Sequence, residues 1–386
     1  MTSAPNLSAV QPTANAATTE RWIALLGRRD SPTDGVEDYC TFLGRALDRR
    51  GVELTRVRVA WDEEGWLGAL RRVARESSGW RTSWVTLHYT ALAWSRRGFP
   101  FGALLTLAVL RRRDIRCAVV FHEPCRQGAT TAARVIGRIR GACQDWIIRR
   151  LYRGAAKAIF TVPVERIAWL PKATNKAAFI SIGANVPGLF APGDAATERN
   201  GALKTIAVFC LSPGPNRFLE VADLTYAARY VQRVLPPIRL VVFGRGALEM
   251  RTEIEKAMEG SGVDVSVLGM LSANEVSSRL SEAAVFLFVG GPVSQTRGSA
   301  LAGVACGLPI VGYSGATAGT PLEEAGLDLV PYRNREALNQ ALARVLTDKS
   351  LQAELRDKSR RAHEKYFSWD AIADRYRHVL DRGISE

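Results

Sequence analysis

The chain has 386 residues, too many for one hydrophobic core and about right for two domains. With 47% hydrophobic and 23% charged residues, its composition excludes a fibrous or wholly disordered chain. The net charge of +14 sits entirely in one half: residues 1–190 carry 29 basic and 15 acidic side chains, and residues 191–386 carry 23 of each. A polyanionic partner is therefore expected for the first half alone. An anionic membrane, an anionic lipid-linked substrate and nucleic acid all fit the charge. Nucleic acid is not expected, because no interleaved aromatics or known binding module accompany the arginines.

The start, residues 1–19, lacks a basic n-region and a long apolar core and reads as a disordered tail. A first α/β domain is expected over 20–187, a linker over 188–203 and a second α/β domain over 204–386. In the first, strands are predicted at 21–27, 53–60, 83–89, 116–122, 156–162 and 177–183, with helices at 36–50, 66–77, 101–113 and 132–155 between them. The stretch 186–202 is rich in Pro, Gly and Ala and has no periodicity, as a linker should. The pattern then restarts with strands at 205–212, 238–244, 263–269, 284–289, 309–313 and 328–332. Helices are predicted near 217–234, 247–260, 273–283, 298–306 and 334–347, then from 350 to 384 with a break at Phe367-Ser368. Short β-branched runs alternating with helix-period segments predict two doubly wound Rossmann-like domains with parallel sheets, facing a cleft.

The longest apolar stretch, 98–110, falls short of the roughly 20 residues that span a bilayer. A cytoplasmic protein is expected. The cysteines, Cys40, Cys117, Cys125, Cys143, Cys210 and Cys306, form no C-x-x-C pair and are accompanied by only four histidines. They read as small core residues in a reducing compartment, and no structural metal is expected.

Four loops at predicted strand carboxyl ends hold the candidate chemistry. In DSPTDGVEDYC (30–40), Gly35 permits close backbone approach at a helix start that Asp34 or Thr33 can cap. In FHEP (121–124), His122 stands where an apolar strand gives way to a loop, a common position for a cleft residue. His88, in TLHYT (87–90), ends its strand in the same way and is the weaker candidate. In LSPGPNR (211–217), Arg217 reaches a helix start and suits a phosphate. In SQTRGSALAGVACG (294–307), Arg297 with the free N–H groups of Gly298 and Ser299, and a hydroxyl to cap them, makes a second anion seat. Its small residues, Ala300, Ala302, Gly303 and Ala305, read as tight helix–sheet packing. Two phosphate-friendly loops in one domain suggest a nucleotide diphosphate. No D-x-D signature serves them, so arginines and helix ends must neutralise the charge.

The order of these features resembles the GT-B glycosyltransferases, and family 4 in particular. IAVFCLSPGPNRFLEVADLTYAARYV stands where that family has a strand, a Gly-Arg turn and a Lys before a helix. LVVFGRGALEM and the segments through AAVFLFV follow the family's succession. LAGVACGLPIVGY matches its small helix and Gly-x-Pro strand, and TDGVEDYCTFLGRAL is similar to its Gly-Gly-x-Glu helix start. The resemblance implies a hexosyltransferase-like enzyme. It would move a sugar from a nucleotide-diphosphate donor, with no other cofactor, to a glycan or lipid-linked acceptor in polysaccharide biosynthesis, metal-independent and with retention. On this resemblance the second domain binds the donor and the first the acceptor. Gly35 and Arg217 lie on the diphosphate, His122 near the transferred sugar, and Val267, Leu268 and Gly269 beside the base.

The chain departs from the family at one place. The family's glutamate pair falls on Ser294 and Ala302, and no Asp or Glu occurs from Ala283 to Leu322. Sugar and ribose recognition would pass to Ser294, Gln295 and Thr296. The loss also motivates a rival reading, a catalytically inactive GT-B protein serving as a binding or partner subunit. The basic first half suggests an anionic membrane surface as a further partner, with the protein peripheral at its inner face. The arginine-rich, apolar helix 132–155 is the candidate contact, although a half-buried domain helix accounts for the same pattern.

Overall fold

The computed structural model describes residues 20–30, 34–122, 134–171, 174–188, 203–315 and 320–381. The expected tail and nearly all of the expected linker lie outside these residues, as do Thr33, Glu123, Pro124 and Cys125.

The first half forms β1 (Glu20–Leu26), α1 (Gly35–Asp48), β2 (Val52–Arg58), α2 (Trp61–Glu76), β3 (Trp84–Tyr89), α3 (Phe101–Arg112), β4 (Cys117–Phe121), α4 (Arg134–Gly154), β5 (Lys157–Phe160) and β6 (Ala177–Phe179). All its strand pairs are parallel, in the order β2-β1-β3-β4-β5-β6. The reason is visible in β3 and β4, in which every residue is buried. Strands covered by helices on both faces have no solvent side and read as continuous apolar runs. One helix starts earlier than its periodicity indicates. Residues 61–64 form an extra turn, separated from the expected helix by Gly65 at φ 71°.

The second half forms β7 (Lys204–Phe209), α5 (Asn216–Val234), β8 (Ile238–Phe243), α6 (Arg251–Met258), β9 (Asp264–Val267), α7 (Ala273–Ser281), β10 (Val285–Pro292), α8 (Gly298–Ala305), β11 (Ile310–Tyr313), β12 (Leu327–Val330), α9 (Arg335–Thr347), α10 (Lys349–Ala362) and α11 (Trp369–Asp381). Its parallel sheet runs β12-β11-β10-β7-β8-β9. The terminal helical stretch breaks at Phe367-Ser368 as expected, after a widened turn over His363–Phe367.

Each sheet is sandwiched between two apolar layers. One layer crosses from the end of the chain to its beginning. Ile372, Ala373, Tyr376 and Leu380 of α11 pack with Trp22, Tyr39, Leu43 and Leu47 of the first half. The Tyr39 hydroxyl donates to the Tyr376 hydroxyl at 2.9 Å, and Arg50 holds both Asp370 and Asp374. The chain crosses between the sheets before residue 188: Ala184 and Val186 already sit in the second sheet's core, and Ser277 donates to the Pro187 carbonyl. The five cysteines among the described residues form no disulfide, and Cys40, Cys117 and Cys306 are buried. No helix among them is long and apolar enough to cross a membrane.

Candidate active site

Parallel sheets of this kind open a crevice where the strand order reverses, because the loops leaving the two strands there turn to opposite faces. In the second sheet that point lies between the neighbours β7 and β10. The loop after β7 leads to Arg217, and the loop after β10 leads to Arg297 and α8. The two arginines predicted for phosphate thus come from adjacent strands, although 80 residues separate them in sequence.

At α8 the first turn is uncapped. The N-cap residue is Arg297 in extended conformation, and no side chain caps the helix. The expected hydroxyl cap is therefore not formed: Ser299 is the second helical residue, two positions past Arg297, from which a side chain would cap. A helix start without a cap leaves N–H groups unsatisfied and carries the positive end of the helix dipole. The space before it is open, since a Cβ on Gly298 would meet nothing within 4 Å. The Ser294 and Thr296 hydroxyls lie 3.1 Å apart beside it. Arg217, half-buried in the first turn of α5, has its Nε buried without a hydrogen-bond partner among the described residues. The loop before it is pinned by an acid that the sequence did not single out: Glu220 accepts from the Ser212 N–H at 2.7 Å.

The first sheet reverses order between β1 and β3, and α1 starts at the carboxyl end of β1. Asp34 caps α1, accepting from the N–H groups of Val36 and Glu37. Arg58 pairs with both Asp34 and Glu37. A Cβ on Gly35 would meet nothing within 4 Å, so the glycine faces open space, but the anion seat behind it is filled by the Asp34 carboxylate.

His122 and His88 form one unit. His122 Nε2 is 3.0 Å from His88 Nδ1, and the rings stack at 5.3 Å. His88 is 1% exposed and touches the Thr86 hydroxyl and the Cys40 thiol. Tyr39 meets His122 edge-on at 5.0 Å. Burial pushes His122 down to about 4, against a smaller opposite pull from Asp34, and burial also lowers His88 well below its usual value. Both rings are therefore neutral at pH 7.

One chain of hydrogen bonds links the two domains at this point. Gln295 Nε2, after β10, donates to the Thr161 carbonyl after β5 at 3.2 Å, and the Thr161 hydroxyl donates to the His122 carbonyl at 3.3 Å. Gln295 is 4% exposed, and its Oε1 has no hydrogen-bond partner among the described residues. Thr161 was not singled out from sequence, because a threonine ending an apolar strand is unremarkable without its partner. At the remaining predicted stretch, two carbonyls are committed to the protein itself: Val267 O to Arg251 and Gly269 O to the Gly244 N–H. What a base could meet there is apolar surface, with Leu248 51% and Met270 63% exposed beside Leu268 and Gly269.

Comparison with known proteins bears on the fold and on the second half of the chain. Residues 216–348 match the family described as glycosyl transferases group 1. No curated protein matches the chain. Among solved structures, a glycosyltransferase from Rickettsia africae superposes with TM-score 0.61 at 12% identity, over 94% of this chain and 99% of that one. WaaG, a glycosyltransferase involved in lipopolysaccharide biosynthesis, gives 0.59 at 13%, over 93% and 99%. A UDP-N-acetylglucosamine 2-epimerase assignment from Listeria monocytogenes gives 0.61 at 14%, over 94% and 96%. The fold is thus that of the GT-B glycosyltransferases. The segment that resembles group 1 lies in the second half and contains Arg217, Arg297 and α8.

Proposed function

We propose that the protein transfers a sugar from a nucleotide-diphosphate sugar to a glycan or lipid-linked acceptor. The observation that carries this reading is the bridge Gln295–Thr161–His122, which sets the uncapped start of α8 against the first domain's histidine pair. The second domain holds the donor. Its diphosphate lies on the N–H groups of Gly298 and Ser299, with the guanidinium groups of Arg297 and Arg217 beside it. As the glycosidic bond breaks, charge develops on the departing diphosphate, and fixed donors stabilise that charge without reorganising. Gly35 is the weaker phosphate contact, because Asp34 already occupies its helix start.

Recognition of the sugar and ribose falls to neutral groups. The Ser294 and Thr296 hydroxyls and the unpaired Gln295 Oε1 can accept from sugar hydroxyls in place of carboxylates. His122, neutral, hydrogen-bonds the transferred sugar rather than pairing with a charge. Retention follows the family resemblance. Leu268, with Leu248 and Met270, offers the base an apolar bed.

The second reading, an inactive binding subunit, is favoured by the lack of any acid from Ala283 to Leu322. Calorimetry against UDP, GDP and ADP, followed by a transfer and hydrolysis screen with the matching sugars, separates the two. Binding with turnover is expected. Binding without turnover under any donor leaves the subunit reading, and failure of all three nucleotides to bind removes the enzyme reading. Arg297→Ala and Arg217→Ala should each weaken nucleoside diphosphate about tenfold or more, roughly 1.4 kcal/mol, and leave nucleoside affinity unchanged. Equal losses for both ligands would contradict the phosphate assignment.

A further inference from the structure

The two neighbouring helices α3 and α4 need one apolar face each to cover the first sheet, and each has a second. The inward face of α3 is Ala103, Leu107 and Leu110, and that of α4 is Ile147, Ile148 and Leu151, all buried. Outward, α3 exposes Phe101 and Leu105 at 48% and 49%, one helical turn apart. Outward, α4 exposes Ile136, Ile139 and Trp146 at 65%, 58% and 47%, at helical spacings of three and seven.

The two patches are continuous. Gln144 donates to the Gly98 carbonyl just before α3, and the Phe101 and Trp146 rings lie 6.3 Å apart. Where the helices diverge, Leu104, Leu107, Arg111, Trp146 and Arg150 line a surface cavity of about 380 Å³. The Arg150 guanidinium lies over the Trp146 ring at 5.2 Å, so the aromatic face and the charge are presented together.

The charge on these helices has one sign. Together α3 and α4 contain eight arginines and a single acid, Asp145. That composition would set like charges against each other if two copies met through this face, and it complements a dense layer of negative phosphates. Contiguous exposed apolar surface rimmed by arginine is what an interfacial helix presents, with the apolar side chains at the headgroup–acyl boundary and the guanidinium groups on phosphate oxygens. Phe101, Ile136 and Ile139 occupy the first two turns of helices that follow β3 and β4, so they lie toward the edge of the sheet that carries His88 and His122.

The geometry points to the α3–α4 face as a docking surface for an anionic lipid bilayer, one that holds the open edge of the first domain toward the membrane. This inference rests on surface residues alone, and its test does not involve the donor site. The full chain is sedimented with vesicles of phosphatidylcholine and with vesicles in which part of the lipid is phosphatidylglycerol. Binding to the anionic vesicles only, weakening with salt, is expected. Ile139→Asp with Trp146→Asp, and separately Arg149→Glu with Arg150→Glu, should each reduce it about tenfold or more. All four side chains are exposed, so melting and nucleotide affinity should stay at wild-type values. Three results would each overturn the proposal: no binding to either vesicle, equal binding to both, or variants that change the oligomeric state and not the vesicle binding.

Discussion

His88 and His122 compete for one proton position. A neutral imidazole has one N–H and one acceptor nitrogen, so the 3.0 Å contact between His88 Nδ1 and His122 Nε2 works only if one ring donates and the other accepts. Adding a proton would set N–H against N–H, and burial already opposes the charge. The folded value of about 4 for His122 lies below its unfolded value, so between about pH 6.5 and 4 the unfolded chain binds more protons than the folded one. Stability is then complete above about pH 6.5 and falls as the pH drops toward 4. His363, also pushed down to about 4 by burial, acts in the same direction. Urea unfolding at pH 5 should show less stability than at pH 7, by on the order of 2 kcal/mol for each of His122 and His363. His122→Gln should have a smaller loss over the same interval, and an equal loss would remove His122 from this account.

At the scale of the element, α8 combines two requirements that its sequence states separately. Its interior residues serve packing: Ala300, Ala302 and Ala305 are buried, and a Cβ on Gly303 would stand 2.6 Å from the Phe286 ring of β10. Its first residues serve the open cleft. Gly298 begins the helix, where proline is tolerated because the N–H it lacks is not used within the helix, and Arg297 before it is extended, as a residue before proline must be. Gly298→Pro should therefore leave the melting temperature near the wild-type value while weakening nucleoside-diphosphate binding, because it deletes one N–H from the proposed phosphate seat. Unchanged affinity in calorimetry would move the phosphates elsewhere. In α4 the sequence pools six arginines and four isoleucines with a tryptophan, and only packing against the first sheet and α3 sorts them into an inner and an outer face.

At the scale of the whole molecule, the domains are joined by the crossing near residues 184–188, by the return of α11 and by the Gln295–Thr161 bond. The first two are extensive and mostly apolar, the return of α11 adding the Arg50 ion pairs with Asp370 and Asp374. The Trp369 indole N–H also donates to the Ala184 carbonyl at the hinge between them. The third is a single hydrogen bond worth about 1 kcal/mol, on the side where the cleft opens. Gln295→Leu should release it with little change in melting, and solution scattering should then report a larger radius of gyration than for the wild-type chain. An unchanged radius would show that the crossing and α11 alone set the spacing of the domains.

The sequence by itself determined the class of architecture. Buried parallel strands and the helices covering them write their periodicity over several consecutive residues, and each of the twelve strands among the described residues was legible within a few positions for that reason. It also located the loops at strand carboxyl ends, Arg217 and Arg297 among them, and the absence of an acid between Ala283 and Leu322. The order of the strands was not legible, and the order is what makes β7 and β10 neighbours and brings the two arginine loops to one switch point. Nor could local pattern reveal that His88, the weaker candidate, is bonded to His122, or that Gln295 reaches Thr161. The same holds for Tyr376, which completes the core beside Tyr39 from 337 positions away. Periodicity records which side of an element is buried. Which element lies against that side is decided by contacts between residues far apart in the chain, and those exist only once the two sheets have formed and the last helix has returned to the first.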